Sequence, residues 1–326
     1  MTALERIQLA NKASGSLANA STESKNKALQ SIAELLVARS SEILAANAID
    51  LENGVKSNLA TGLQDRLRLT EARIKSLAES IQEVISLPDP IGEVVQAKTL
   101  ANGLELTQLR VPFGVIGVIY EARPNVTIDI SALAIKSGNA VVLRGGSAAE
   151  NTNIALSKIL KDALASSGLN PELVQTVDDF GRAGATEMMT ARGLIDVLIP
   201  RGSASLISAV VDGAKVPVIQ TGDGVTHVFI DETANPEWAV DIVFNSKVQR
   251  PATCNALETL LVHEAVASSL LPKVLDRLVE AGVTIHGDEK VMNIYPNSVL
   301  ATEADWHAEY YSLDLAVKIV SSLDEA

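Results

Sequence analysis

The chain has 326 residues, 47% hydrophobic and 21% charged, a balance that suits a folded globular protein and excludes disorder or a fibrous repeat. Asp and Glu number 40 against 27 Lys and Arg, for a net charge of −13, so broad electrostatic binding of nucleic acid or of an anionic membrane is not expected, and any anionic ligand must be met by a few local cations. No apolar run reaches the roughly 18 residues of a membrane helix and the first residues lack the pattern of a secretory leader; one cysteine, Cys254, and four scattered histidines give neither a disulfide nor metal-ligand spacing, so a cytoplasmic protein without a metal is expected.

From Ala3 to about Leu87 the sequence predicts several amphipathic helices, with apolar residues three and four positions apart as in Ala33, Leu36 and Val37 or Ile74, Leu77, Ala78 and Ile81. Pro88 and Pro90 close this segment. Two β-prone stretches follow, 93–101 and 104–111, and Asn102-Gly103 between them predicts a two-residue hairpin turn. The hairpin, about 92–111, reads either as an arm that pairs with another subunit or as a plain surface hairpin.

From Val111 short β-branched runs alternate with helical stretches, through VPFGVIGVIYE, AVVLRGG, LVQTVDD, IDVLIPRG and VPVIQTG. Nearly uninterrupted apolar strands of this kind predict a parallel sheet covered on both faces, a doubly wound α/β fold. A second alternation begins near Thr226 with THVFID, ALETLLVH, VTIHG and a strand at 316–320, which places a domain boundary between 1–225 and 226–326. Ser322 to Glu325 has the Ser-x-x-Glu form that opens a helix, so the chain is expected to stop inside its second domain, the alternative being a frayed tail.

Several strands end in glycine-containing turns: Arg144-Gly145-Gly146-Ser147, Arg201-Gly202-Ser203 and Thr221-Gly222-Asp223-Gly224. Open α/β sheets bind ligands at such turns, and helix N-termini that follow them favour phosphate, although none is a G-x-G-x-x-G or a P-loop and each glycine also serves as an ordinary turn former. Cys254 lies in NSKVQRPATCN, where Lys247 and Arg250 would raise the thiolate fraction a nucleophile needs; a small buried apolar residue is the other reading. In EARPNVT, Asn125 could stabilise an oxyanion or cap the next helix.

The segments VPFGVIGVIYEARPNVTIDISALAIKSGNAVVLRGG, LIPRGSASLI, PVIQTGDG, KVQRPATCNALETLLVH and YYSLDLAVKIVSSLDEA closely resemble, in order, the gamma-glutamyl phosphate reductases (glutamate-5-semialdehyde dehydrogenases) of proline biosynthesis, within the aldehyde dehydrogenase superfamily. The resemblance implies NADPH-dependent reduction of L-glutamate 5-phosphate to L-glutamate 5-semialdehyde and phosphate, through a thioester on Cys254 with Asn125 as the oxyanion amide. Arg123, Lys247, Arg250 and Asn255 become the expected substrate-binding residues, and Arg144, Ser147, Gly202 and Ser203 the expected cofactor-binding ones. NAD-preferring relatives commonly place a carboxylate at the position of Ser147; a hydroxyl beside Arg144 suits a 2′-phosphate.

The resemblance also implies a homo-oligomer with the hairpin as its arm, and functional coupling to glutamate 5-kinase. Gln220 stands where oxidising relatives carry a Glu base, which fits a reductase. Thr226 replaces a second cysteine of close relatives, and Asp223 and His227 are expected to be turn and strand residues. Family members continue past Glu325, so a C-terminally truncated catalytic domain is expected, and with it the alternative of a non-catalytic NADP-binding fragment; an enzyme for another acidic semialdehyde is the third reading.

Overall fold

The computed structural model describes every residue except Ala60, Ala122 and 221–223, and omits the side chains of Thr61 and Ala204. It divides into two compact units, Met1–Thr221 and Gly222–Ala326.

The first unit opens with α1 (Ala3–Ala18), α2 (Thr22–Ala38), α3 (Ser40–Lys56), α4 (Thr61–Leu67) and α5 (Glu71–Ser86). Their starts are chemically marked. Thr2 and Glu5 form a reciprocal capping box, and the Ser21 and Thr70 hydroxyls accept first-turn N–H groups. The expected spacing buries one face of each helix, as with Ile7, Ala10 and Leu17 in α1 or Ile74, Leu77, Ala78 and Ile81 in α5.

The hairpin is present as β1 (Val94–Thr99) and β2 (Glu105–Leu109), antiparallel, with every residue exposed. Its turn is not the expected two-residue one. Leu100 N–H donates to Leu104 O, Gly103 N–H donates to Leu100 O, and only Gly103 has positive φ (+87°), which makes a three-residue loop with glycine in the left-handed position.

A four-stranded parallel sheet follows, built from β3 (Val115–Tyr120), β4 (Ala140–Arg144), β5 (Val174–Thr176) and β6 (Val197–Arg201) in the order β5-β4-β3-β6. The helices between are α6 (Pro124–Lys136), α7 (Glu150–Ser167) and α8 (Gly181–Thr190), with α9 (Ala204–Gly213) after β6. Gly117 lies inside β3 because a Cβ there would come within 2.5 Å of Leu198 Cδ2. Among the described residues of the strand expected in VPVIQTG, a single bridge forms, Leu198 to Val218; Pro217 has no N–H to extend the ladder. The chain grows outward from β3 to β5 and returns to place β6 on the other side of β3. That reversal makes the C-terminal ends of β3 and β6 the topological switch point, where α/β sheets bind ligands.

The second unit carries β7 (His227–Ile230), α10 (Pro236–Val248), β8 (Thr259–His263), α11 (Glu264–Glu280), β9 (Thr284–Gly287), α12 (Glu289–Ile294), β10 (Val299–Leu300) and β11 (Asp314–Val320). All five strands are parallel, in the order β10-β9-β11-β8-β7, around a core that includes Leu260, Val262, Leu271, Leu275 and Val317. β10, two residues, and α12, six residues, are too short to register in the sequence pattern. At the end of the chain the Ser322 hydroxyl accepts the Glu325 N–H and the Glu325 carboxylate accepts from Ser321, so the capping pattern is used by a turn.

Candidate active site

In the first unit the predicted residues collect at the C-terminal ends of β3, β4 and β6. Arg123 precedes α6, half-buried, and forms no ion pair among the described residues. Pro124 takes the first helical position, which its fixed φ suits. Asn125 therefore falls inside the first turn and is not the cap. Its Nδ2 donates to Asp129 Oδ2 at 3.1 Å, one turn on, and leaves its second amide proton to donate elsewhere. Burial raises the Asp129 carboxyl above the ordinary range, with the Asn125 hydrogen bond opposing it.

After β4, Arg144 is half-buried and its Nε donates to Gly181 O at 3.4 Å. Gly145 N–H donates to Asp178, a buried carboxylate that burial pushes up to about 6 against that hydrogen bond. A Cβ on Gly145 would come within 2.1 Å of Asn153 Nδ2, so only glycine fits. Behind it, Thr127 donates to Asn153 Oδ1 at 3.0 Å, which leaves the buried Tyr120 hydroxyl to donate to Thr127 Oγ1 at 2.6 Å. Ser147 is exposed and begins a 3₁₀ turn.

Two helix N-termini follow these turns, and they differ. At α7 the Asp50 carboxylate takes the N–H groups of Asn151 and Thr152 at 3.2 and 2.8 Å, so that end already holds an anion. At α9 the N-cap Ser203 side chain accepts no helix N–H; its hydroxyl donates to Glu121 Oε1 at 2.7 Å and lies 3.1 Å from the Ser205 hydroxyl. Among the described residues no side chain caps the first-turn N–H groups of α9 beside Gly202, a set of donors that fits a pyrophosphate.

In the second unit Cys254 is exposed on the loop between α10 and β8, beside exposed Asn255. A turn shapes this loop: Thr253 donates its N–H and its hydroxyl to Arg250 O (3.1 and 2.8 Å), and Ala256 N–H donates to Thr253 O (3.0 Å). The exposed Arg250 guanidinium has no ion-pair partner among the described residues. Lys247 departs from its expected role. It is fully buried on the face of α10 that Ala239 and Val243 continue, and its Nζ donates to Glu258 Oε2 at 2.8 Å. A buried ammonium needs a counter-charge, so this lysine is spent on Glu258 and is not a substrate cation. Burial pushes Lys247 down and Glu258 up, and each is opposed by the charge of the other.

His227 is on β7 as expected, its ring Nδ1 2.6 Å from Val225 O. Asp223, with the rest of 221–223, lies outside the described residues. Gln220 is exposed. Sequence reasoning missed Asp50, Glu121, Asp178 and Glu258. The last carried a visible signal, an acidic residue at the mouth of the apolar strand ETLLVH.

Comparison with known proteins gives this geometry a lineage. The sequence model of the aldehyde dehydrogenase family matches residues 2–293. The gamma-glutamyl phosphate reductase of Leifsonia xyli is 55% identical over 99% of this chain and 76% of its own length, and that of Thermobifida fusca is 51% identical over 100% and 79%. The solved gamma-glutamyl phosphate reductase of Thermotoga maritima superposes with a TM-score of 0.92 at 43% identity, over 100% of this chain and 78% of that one. The chain belongs to the aldehyde dehydrogenase family, among its gamma-glutamyl phosphate reductases. As a member of that family it is an oxidoreductase that uses a nicotinamide cofactor, with two parallel-sheet units, and no helix among the described residues is long and apolar enough to cross a membrane.

Proposed function

We propose that the chain reduces L-glutamate 5-phosphate to L-glutamate 5-semialdehyde with release of phosphate, the reductive step of proline biosynthesis, and that its cofactor is NADPH. The observation that carries this reading is the identity of 55% to a gamma-glutamyl phosphate reductase along nearly the whole chain, together with an exposed Cys254 that is the only cysteine present.

In this reading the Cys254 thiolate attacks C5 of the acyl phosphate, the bond from C5 to the phosphate oxygen breaks, and phosphate leaves with the electron pair. When bound, NADPH supplies the hydride that turns the thioester carbon into an aldehyde carbon. Cys254 Sγ then departs as the thiolate it began as. Asn125 gives its unengaged amide proton to the developing oxyanion, held in place by its bond to Asp129. Arg123 and Arg250, both without ion-pair partners among the described residues, take the anionic groups of the substrate, with Asn255 beside the nucleophile. The first unit holds the cofactor. The open α9 N-terminus at Gly202 and Ser203 receives the pyrophosphate, and Arg144 with Ser147 receives the adenosine 2′-phosphate, since no carboxylate replaces Ser147 to repel it. The exposed apolar residues of the hairpin, among them Val94, Leu104, Leu106 and Leu109, support a homo-oligomeric arm. An acyl phosphate hydrolyses readily in water, which favours direct supply by a glutamate 5-kinase in the cytoplasm.

The test is the reverse reaction: reduction of NADP with glutamate semialdehyde, with and without inorganic phosphate, beside Cys254→Ala. Phosphate-dependent turnover that disappears in the variant is expected. Turnover without phosphate would reassign the chain to oxidation of an acidic semialdehyde, and nucleotide binding without any turnover would reduce it to a binding fragment. Ser147→Glu should favour NAD over NADP in the same assay.

A further inference from the structure

The loop that carries Cys254 leaves α10 after Val248 and enters β8 at Thr259, and a buried ion pair joins its two ends. Lys247 is 0% exposed and Glu258 2% exposed, with Nζ and Oε2 at 2.8 Å. The backbone repeats this closure. Leu257 N–H donates to Ser246 O at 2.9 Å, and the N–H groups of Glu258 and Thr259 both donate to Thr226 O at 3.0 and 3.1 Å.

The pair is also tied to a second segment. Tyr311 N–H donates to the other Glu258 oxygen at 3.4 Å, and the Lys247 ammonium lies 5.8 Å from the centre of the Tyr310 ring. Tyr310 donates to Asp305 at 2.7 Å and stacks on His286, so the ring has little freedom. Tyr311 is held at φ +54°, a conformation non-glycine residues avoid, and its hydroxyl donates to Glu309. The other Glu309 oxygen accepts the Gly224 N–H at 3.1 Å, and a Cβ on Gly224 would lie 4.0 Å from the Cys254 carbonyl oxygen. Polar contacts therefore run from Lys247 through Glu258, Tyr311 and Glu309 to Gly224, whose backbone lies against the Cys254 carbonyl.

Two buried charges are an inefficient way to stabilise a fold, because desolvation offsets their attraction and an apolar pair of the same volume does as well. What a charged, hydrogen-bonded pair provides is one geometry where an apolar contact would tolerate several. We propose that Lys247 and Glu258 are positioning residues that close the Cys254 loop at both ends and fix where its thiolate meets the acyl carbon. This rests on the reductase reading for its consequence, but the loop geometry itself is measurable without turnover.

The experiment uses the whole chain and the double variant Lys247→Met/Glu258→Gln, which removes both charges with little change in volume. Amide hydrogen exchange at Thr253, Ala256 and Leu257 should accelerate at least tenfold while Leu260 and Val262 stay unchanged. With the melting temperature equal to that of the parent, kcat should fall at least tenfold with the KM for NADPH within twofold. Should the double variant not fold, Lys247→Met/Glu258→Met, an apolar pair of similar volume that also lacks the closing bond, is read in the same way. Unchanged loop exchange, or kcat within twofold at an equal melting temperature, overturns the proposal. Absence of Cys254-dependent turnover in the parent chain sinks the reductase reading instead, and the proposal is then decided by exchange alone.

Discussion

The turns that end β4 and β6 in the first unit and the loop that carries Cys254 in the second stand on the same kind of parallel sheet, yet they are held by different means. In the first unit a single carboxylate reaches each turn from elsewhere: Asp178 holds the Gly145 N–H and Glu121 takes the Ser203 hydroxyl. In the second a complete ion pair, Lys247 with Glu258, joins the loop ends. On the proposed function, the difference follows from what each piece must do. A cofactor turn needs backbone N–H groups left open, so its support comes from behind and consumes one donor. A loop that presents a nucleophile needs its own ends fixed, and side chains at both ends provide that. In both regions the supporting polar groups are the more buried and the candidate ligand-binding groups Ser147, Arg250 and Cys254 the more exposed.

The sharpest break in this comparison is Cys254→Ala, expected to lower kcat by about 10⁴-fold or more, while calorimetric titration with NADP keeps the affinity of the parent. Retained turnover would move the chemistry out of this loop. Next is Lys247→Ala, which strands the Glu258 charge in the interior; a loss of about 3–5 kcal/mol in urea unfolding is expected, larger than for any single change in the first-unit turns. Asn125→Ala should cost about 10²–10³-fold in kcat with unfolding unchanged, because among the described residues the amide donates to Asp129 alone and it is not the N-cap of α6.

A smaller effect separates the two kinds of support by pH. The Asp178 carboxyl is raised to about 6 in the folded protein, above its unfolded value near 4. Its contribution to stability is therefore fully present below about pH 4 and is lost as pH rises through about 6. Asp178→Asn keeps an oxygen for the Gly145 N–H and removes the buried charge. It should flatten that part of the stability curve and gain about 1–3 kcal/mol at pH 8, read by unfolding midpoints from pH 4 to 8. A gain that is equal at pH 4 and pH 8 would mean that charge burial is not what the variant relieves. The smallest change expected is Thr2→Ala, remote from both regions, at about 1 kcal/mol through loss of the α1 capping box.

Much of this was legible in the sequence. The β-then-α alternation gave both parallel sheets, the Thr and Ser positions gave helix starts, and QRPATCN with the RPN segment gave Cys254 and Asn125 as the residues to watch. What misled was chemistry read without burial. Lys247 reads as a free cation near a nucleophile, but its spacing from Ala239 and Val243 sets it on the inward face of α10. Of the two readings of Asn125, oxyanion amide or helix cap, the cap fails because Pro124 starts the helix one residue earlier. The hairpin dipeptide Asn102-Gly103 marked the right place and the wrong turn, since only its glycine takes positive φ.

Sequence alone determined most of the helices and longer strands, their parallel arrangement and where the glycine turns fall, because periodicity, turn propensity and strand apolarity act over a few neighbouring positions. Only the tertiary structure decided which carboxylate supports which turn: Asp50 reaches α7 from 101 residues away, Glu121 meets Ser203 across 82, and Asp178 lies 33 beyond Gly145. Pairings of that range depend on the order in which strands are laid side by side, and strand order leaves no local trace in the residues that it brings together.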